Sequence, residues 1–344
     1  MSQKALFLKS KQGDFELGTR NVPRPGPGEV LVKSYAVALN PVEWKIQAIG
    51  LFFNDSDYPV VLGEDIAGVV EEVGEGVTRV SKGDRVCSRS TSHGKGPDYA
   101  GYQQYTIADV NFLTKIPDSM TFDEASSIPA CLDTASIGLF GSKDSKLEFP
   151  DKAGAYKGQA IFVLGGSSSV GLYVIQLARL AGFSTIIATS SLKHEGYLQS
   201  LGATHVIDRH LSPDDIAAHV KTITSDPIKV VYDTISEADT QKTAWSMLAP
   251  GGHLVLTLWS TIQPEAGDTR TFKMVSGNPF PEENYEFSKK WWAQLPEWIN
   301  EGKIKPNRVE VLPGGLDGVV GGLERLKANK VSGVKLVVRP FEGA

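Results

Sequence analysis

Between Ala160 and Ser191 the chain reads AIFVLGGSSSVGLYVIQLARLAGFSTIIATSS: an apolar strand, a glycine-serine turn, an amphipathic helix and a second apolar strand. That order builds a βαβ unit able to hold a pyrophosphate. A glycine-x-glycine-x-x-glycine fingerprint laid on the turn places Gly166 first, Ser168 second and Gly171 third. The middle glycine, whose role is to let backbone approach phosphate, is missing. The pattern therefore predicts that the Ser168 hydroxyl meets the phosphates, while the helix N-terminus supplies N–H groups and positive partial charge. The second strand, read as 184–189, ends in Ser190 and Ser191, where an acid would ordinarily meet a ribose 2′-hydroxyl. No acid appears before Glu195 and Lys193 is near, so the pocket favours a 2′-phosphate and hence NADP. The competing reading, a plain strand-to-helix connection, explains neither the spacing nor the missing acid.

The elements that must carry this turn alternate along the chain. Residues 206–208, 230–233 and 253–258 read as strands separated by helical stretches, the pattern of a doubly wound parallel sheet. Upstream, VPRPGPGE at 22–29 and the β-rich runs at 29–39 and 66–73 predict a mainly β domain. Helix texture begins near Phe122 as DEASSIPACLDTASIGLF, and residues 141–158 read as a polar surface loop. Beyond Thr271 come an aromatic helix (SKKWWAQLPEWINEGKI), a short strand at 309–312, another helix and VKLVVRP, a tail expected to return to the first domain. The expected division is 1–124, 125–273 and 274–344. The fold class is α/β.

With 344 residues, 41% hydrophobic and 22% charged, the composition is that of a two-domain globular chain. A net charge of −5 without a basic run argues against nucleic acid as a partner. Cys87 and Cys131 are the only cysteines, too few for a disulfide framework or a cysteine-based zinc site, which fits a reducing, cytoplasmic setting. No apolar segment reaches the length of a membrane span, so no membrane partner is expected.

Taken in order, PGPGEVLVKSYAVALNPVEWK, LGEDIAGVVEEVGEGVTRVSKGDRV, the serine-rich turn, LGATHVID and APGGHLVL resemble the medium-chain dehydrogenase/reductase superfamily across nearly the whole chain. The resemblance implies a GroES-like β domain containing the active site and a Rossmann domain. It is strongest to the zinc-free branch of quinone oxidoreductases and enoyl reductases. Within that branch NPVEWK, EGKIKPNRVEVLPGGL and KVSGVKLVV look most like the trans-acting enoyl reductases of fungal polyketide pathways. Zinc-dependent members carry glycine-histidine-glutamate where this chain has Gly63, Glu64 and Asp65, and their first cysteine ligand falls near Asn40–Glu43, which lacks a thiol. No metal is expected, because zinc needs three or four suitable ligands.

Without a Lewis acid, conjugate reduction is easier than ketone reduction, because an enolate can be held by a few hydrogen-bond donors. The resemblance implies NADPH as cofactor and an α,β-unsaturated carbonyl (enone, enal or enoyl thioester) as small-molecule substrate. It makes Lys45 the leading candidate to hold the enolate oxygen or the nicotinamide ribose, with Asn40 orienting a carbonyl or the backbone. Val42, Glu43 and Trp44 share that segment; Glu43 reads equally as a loop residue and Trp44 as a packing wall. The tyrosine proton donor of mitochondrial enoyl thioester reductases is replaced, since Leu51 and Phe52 follow Gly50. Lys45, a tyrosine such as Tyr99, Tyr102 or Tyr105, and solvent stay open as the donor. Carried over from the family, Ser167, Ser168, Ser169 and Val170 face the pyrophosphate, Ser190 and Lys193 the 2′-phosphate, and Leu256 and Thr257 the nicotinamide; Arg209 stands where relatives have a tyrosine and reads either as a clamp on the 2′-phosphate or as a solvated strand-end charge. Val334 and Lys335 would close over the cofactor. Ile128, Cys131, Thr134 and Ala135, with Val275, Ser276 and Phe280, would line the substrate pocket. Two further readings stand beside this one: an NADPH quinone reductase, and a non-catalytic NADPH-binding structural or RNA-binding protein. The resemblance also implies a polyketide synthase partner, and both a monomer and a homodimer stay open.

Overall fold

All five residues of Ala160–Leu164 are apolar and buried, as a strand covered on both faces requires. This strand sits inside a six-stranded sheet ordered 205–208, 185–190, 160–164, 230–233, 253–256, 271–274. Every ladder in it is parallel. Numbered from Ala160, that is the 3-2-1-4-5-6 order of a Rossmann sheet. The helix Ser169–Ala181 makes the first crossover, burying Leu172, Val174, Ile175, Leu177 and Ala178; Gly182 ends it at φ +89°, a left-handed cap that suits glycine. Phe162, Leu164, Ile187, Val231, Leu254 and Leu256 form the core of this sheet.

The computed structural model describes residues 1–91, 93–141, 147–150 and 154–343. It divides the chain into one unit of 1–130, 289–302 and 306–344 and a second of 131–288 and 303–305. The first unit holds a seven-stranded sheet ordered 309–311, 335–338, 29–38, 65–73, 85–89, 113–115, with 105–109 paired to 29–38. Its ladders are antiparallel except for Val309–Val311 beside Lys335–Val338. A three-stranded sheet joins 15–21, 2–8 and 60–61. Val32, Val37, Ile66, Val70 and Val86 pack with Leu312, Leu323 and Leu336, so the segment 306–344 completes the first core.

The sequence places the breaks at 124/125 and 273/274; in the structure they fall at 130/131 and 288/289, inside the helices Pro129–Ser136 and Glu282–Asn300. Residues 275–288 stay with the parallel sheet because Val275 N–H bonds Leu256 O at 2.8 Å and Asn284 Nδ2 bonds Asn278 O at 2.8 Å. The single helical stretch expected from residue 123 is instead Phe122–Ser126, Pro129–Ser136 and a π turn at Ile137–Gly141. Pro129 explains the first interruption, since it has no N–H to continue a helix but fits the first position of a new one. Of the loop expected at 141–158, residues 142–146 and 151–153 lie outside the described residues.

Candidate active site

In the second unit the glycine-serine turn is built largely from local bonds. Gly165 takes φ +74°, open to glycine without strain, and its N–H meets Thr189 Oγ1 at 3.1 Å. A Cβ on Gly166 would lie 2.7 Å from Ala188 Cβ, so this glycine is what lets the turn approach the next strand. Ser168 has an extended φ of −68° and needs no glycine freedom. Its hydroxyl accepts from Gly171 N–H at 2.9 Å and donates to Thr234 Oγ1 at 2.8 Å. The Ser168 hydroxyl thus caps the helix and ties the turn to the neighbouring strand end. Ser167, Ser169 and Val170, all half-buried, complete the turn at the positive end of the Ser169–Ala181 helix.

Ser190 and Arg209 meet at the carboxyl ends of adjacent parallel strands, where Arg209 N–H bonds Ser190 O at 3.0 Å. Ser190 is buried; Lys193, on the short turn Leu192–His194, and Arg209 are exposed. Asp208, opposite Ser190 in the register, gives one carboxylate oxygen to His210 N–H at 3.1 Å. Leu256 is buried at its strand end, and Thr257 N–H bonds Ser236 Oγ at 2.8 Å. Among the expected substrate residues of this unit, Thr134 lies against the 275–280 loop: a Cβ on Gly277 would be 2.9 Å from Thr134 Cβ. The Thr134 carbonyl accepts from the Tyr232 hydroxyl at 2.7 Å. Val275 and Ser276 line a cavity of about 210 Å³ with Ile137, Gly138, Val255 and Met274. Cys131 and Ala135 are buried, and Phe280 is half-buried.

In the first unit Asn40 precedes the helix Pro41–Ile49 and leads into the segment that carries Val42, Glu43, Trp44 and Lys45. Lys45 is half-buried, with its ammonium 5.5 Å from the centre of the Trp44 ring. Val42 and Trp44 pack against the core of this unit, and the Trp44 indole N–H is buried without an acceptor. Ile128 is fully buried in the same unit. Behind the helix lies a group of buried charges that sequence reasoning did not assemble. Asp65, 0% exposed, accepts from Asn40 Nδ2 at 2.8 Å and from Ala130 N–H at 2.6 Å. The Lys335 ammonium, on a residue 3% exposed, stands 3.2 Å from Asp65 Oδ2 and donates to Asn40 Oδ1. Val334 before it is half-buried. Opposite Asp65 in the strand register, buried Arg89 pairs with Glu64 Oε2 at 3.0 Å and donates to Glu64 O at 3.1 Å.

This arrangement sets the state of Glu43. Its carboxyl accepts from Asn40 N–H, but the buried lysine and arginine are already engaged by Asp65 and Glu64. Burial first, and the nearby Glu64 carboxylate second, push the Glu43 carboxyl from an ordinary 4.5 up to about 8. That shift favours the protonated form of Glu43 at neutral pH. The tyrosines named as proton donors are placed very differently. Tyr99 donates to Glu29 Oε1 at 2.7 Å and is raised to about 12, by burial and then by that carboxylate. Tyr102 is fully buried and held well above its ordinary range by burial and then by Glu43. Tyr105 packs edge-on against Phe341 at 5.7 Å.

Gly63, Glu64 and Asp65 occupy the place where a zinc-dependent relative would offer ligands, yet both carboxylates there face protein cations. Among the described residues no group of three or more histidine, cysteine, aspartate or glutamate side chains is placed to hold a metal ion. The donor set does not fit zinc, whose sites take neutral imidazole, thiolate or free carboxylate. Also among the described residues, no helix is long and apolar enough to cross a membrane.

Residues 26–118 match the alcohol dehydrogenase GroES-like domain family, and residues 169–270 the zinc-binding dehydrogenase family. A trans-enoyl reductase of a Penicillium species is 31% identical over 96% of this chain and 97% of its own. Among solved structures, an alcohol dehydrogenase superfamily protein of Novosphingobium aromaticivorans has a TM-score of 0.80 at 26% identity, covering 98% of this chain and 99% of that one. A mycobacterial protein solved in complex with NADPH has a TM-score of 0.77 at 24% identity, covering 98% and 100%. The β-rich unit and the parallel sheet are thus a GroES-like domain and a Rossmann domain, and the chain belongs to the medium-chain dehydrogenase/reductase superfamily.

Proposed function

We propose that this protein is a cytoplasmic, zinc-independent reductase that uses NADPH to reduce the carbon-carbon double bond of an α,β-unsaturated carbonyl. The observation that carries this reading is the likeness, over nearly the full length, to a fungal trans-enoyl reductase. A polyketide synthase supplying an enoyl thioester is the partner that likeness suggests. The neighbour solved with NADPH, and the basic residues Lys193 and Arg209 following the strand ends at Ser190 and Asp208, support NADPH over NADH.

When bound, NADPH supplies a hydride to the β carbon of the substrate. The chain's own residues then have two tasks. The helix N-terminus at Ser169 and the turn Ser167–Val170 hold the pyrophosphate, with Lys193 and Arg209 taking the 2′-phosphate. Lys45 donates to the enolate oxygen, which needs a cation or donor because the carboxylates at 64 and 65 offer no place for a Lewis acid. Tyr99 and Tyr102 are disfavoured as donors by their partner and burial, leaving Lys45, Tyr105 or water to deliver the proton to the α carbon. In the Rossmann unit Leu256 and Thr257 are the residues we propose for the nicotinamide, and Thr134, Val275, Ser276 and Phe280 those for the substrate; in the GroES-like unit Val42, Trp44 and Val334 are proposed as cofactor contacts.

The test is NADPH consumption with enones, enals, an enoyl thioester, quinones and ketones, using NADPH deuterated at C4. Deuterium at the β carbon of the product is expected. A rate no higher than the buffer blank with every unsaturated carbonyl overturns the reading, and turnover of quinones alone makes the chain a quinone reductase.

A further inference from the structure

Two loops leave the carboxyl ends of the adjacent parallel strands Val230–Asp233 and His253–Leu256. A buried set of hydrogen bonds joins them. Ser236, 3% exposed, has φ +56°, a left-handed conformation that glycine enters freely and serine only at a cost. The serine hydroxyl gives something a glycine lacks. It donates to Asp233 O at 2.7 Å and accepts from Thr257 N–H at 2.8 Å, with Thr257 Oγ1 at 3.3 Å. Asp233 Oδ1 fixes the turn itself by accepting from Ile235 N–H at 3.0 Å and Ser236 N–H at 2.8 Å.

Gln241, 1% exposed on the helix Ala238–Met247, completes the set. Its amide hydrogens go to Ser236 O at 2.8 Å and Trp259 O at 2.9 Å. Its carbonyl oxygen accepts from Thr261 N–H at 2.8 Å and Thr261 Oγ1 at 3.2 Å. Both donors and both lone pairs of the amide are used. The segment 257–261 is thereby held at Thr257, Trp259 and Thr261, while the Trp259 ring stays 58% exposed. An exposed aromatic on a backbone fixed at three points is rigid preorganisation rather than loop polarity. It stands at the carboxyl edge of a parallel sheet, where such folds bind ligands.

We propose that Ser236 and Gln241 are positioning residues that hold Thr257 and the Trp259 backbone in place for the nicotinamide half of the dinucleotide. The proposal rests on the NADPH reading above. It separates two ends of one ligand: the Ser190, Lys193 and Arg209 region serves the adenosine 2′-phosphate and has no bond to this clamp among those described.

The experiment compares NADPH with 2′,5′-ADP, which carries only the adenosine half, by calorimetric titration of the full chain and its variants. Ser236→Gly suits the left-handed backbone and removes the hydroxymethyl group, and with it the hydroxyl's bonds to Asp233 and Thr257. It should bind 2′,5′-ADP as the unsubstituted protein does, keep its thermal midpoint, and bind NADPH about tenfold more weakly, the effect of one or two lost hydrogen bonds. Gln241→Met, of similar volume, should show the same selectivity with a larger loss of NADPH affinity. Unchanged NADPH affinity in Ser236→Gly, or equal weakening of both ligands, overturns the proposal. Failure of the unsubstituted protein to bind either ligand is a different result: it removes the NADPH reading itself, and the inference with it.

Discussion

The nucleotide turn and the buried cluster behind Asn40 hold polar groups in place by opposite means. Between Gly165 and Gly171 there is no ionised side chain; the geometry comes from glycine conformations, a helix cap and hydroxyls on Thr189 and Thr234. The cluster instead brings Asp65, Lys335, Glu64 and Arg89 out of water together, from segments as far apart as residues 40 and 335. Backbone-built sites tolerate the loss of one hydroxyl, because each bond contributes modestly. Buried ion pairs do not tolerate the loss of one partner, because the other charge is left without compensation. The comparison also bears on Glu43: burial first and the Glu64 carboxylate second raise its carboxyl to about 8, and Lys335, already paired with Asp65, only partly opposes them.

The largest expected effect follows from that asymmetry. Lys335→Met should destabilise the protein by about 3–5 kcal/mol in a denaturant titration, and adding Asp65→Asn should recover part of the loss. A Lys335→Met cost below about 1 kcal/mol would mean that the pair is not desolvated and would erase the contrast with the turn. Gly171→Ala comes next. The new Cβ would meet Gly165 O and lie 2.9 Å from Gly166 Cα, so the turn must open, at about 1–3 kcal/mol of stability with a parallel loss of NADPH binding by calorimetry. Ser168→Ala should cost about 1 kcal/mol, the worth of a helix cap, and leave NADPH affinity within a few-fold. Tenfold weaker NADPH binding at unchanged stability would show instead that this hydroxyl serves the phosphate.

The effect at Glu43 is the most specific. Glu43 is raised in the folded state, so between about 4.5 and 8 the native protein keeps a proton that the unfolded chain releases. Its contribution to stability is present at the acid side of that window and is lost as pH rises through it. Glu43→Gln cannot titrate, and its stability should decline less than that of the unsubstituted protein over the same pH range. Parallel pH profiles for the two proteins would show that Glu43 ionises normally.

Much of the Rossmann half was legible from the chain because its signals are short-range. Each buried strand is an apolar run, and glycines or a serine cap mark the helix ends. The edge strand Thr271–Met274 is missed by the same logic: its residues are mostly exposed, so no apolar run announces it. The helix Glu282–Asn300 starts before the expected Ser288 because its first turn is acidic rather than apolar, a signal of charge at a helix N-terminus. In the other half Asn40 and Lys45 stood out only through a family motif. The roles of Asp65 and Arg89 were not legible, since a single charged residue in a strand does not say which charge it will meet.

By itself the sequence determined the βαβ unit, the missing zinc ligands and the return of the tail, all of which follow from residue types at fixed short spacings. Tertiary structure decided what those residues do. It turned the Ser168 hydroxyl inward to Gly171 and Thr234, and it set Lys335 against Asp65 through strand pairing that joins Leu39 N–H to Leu336 O at 2.9 Å. It also raised the Glu43 carboxyl by burying it in their company. Hydrogen-bond partners and burial depend on the register of strands far apart in the chain, and no local spacing encodes which buried charge will find its counter-ion.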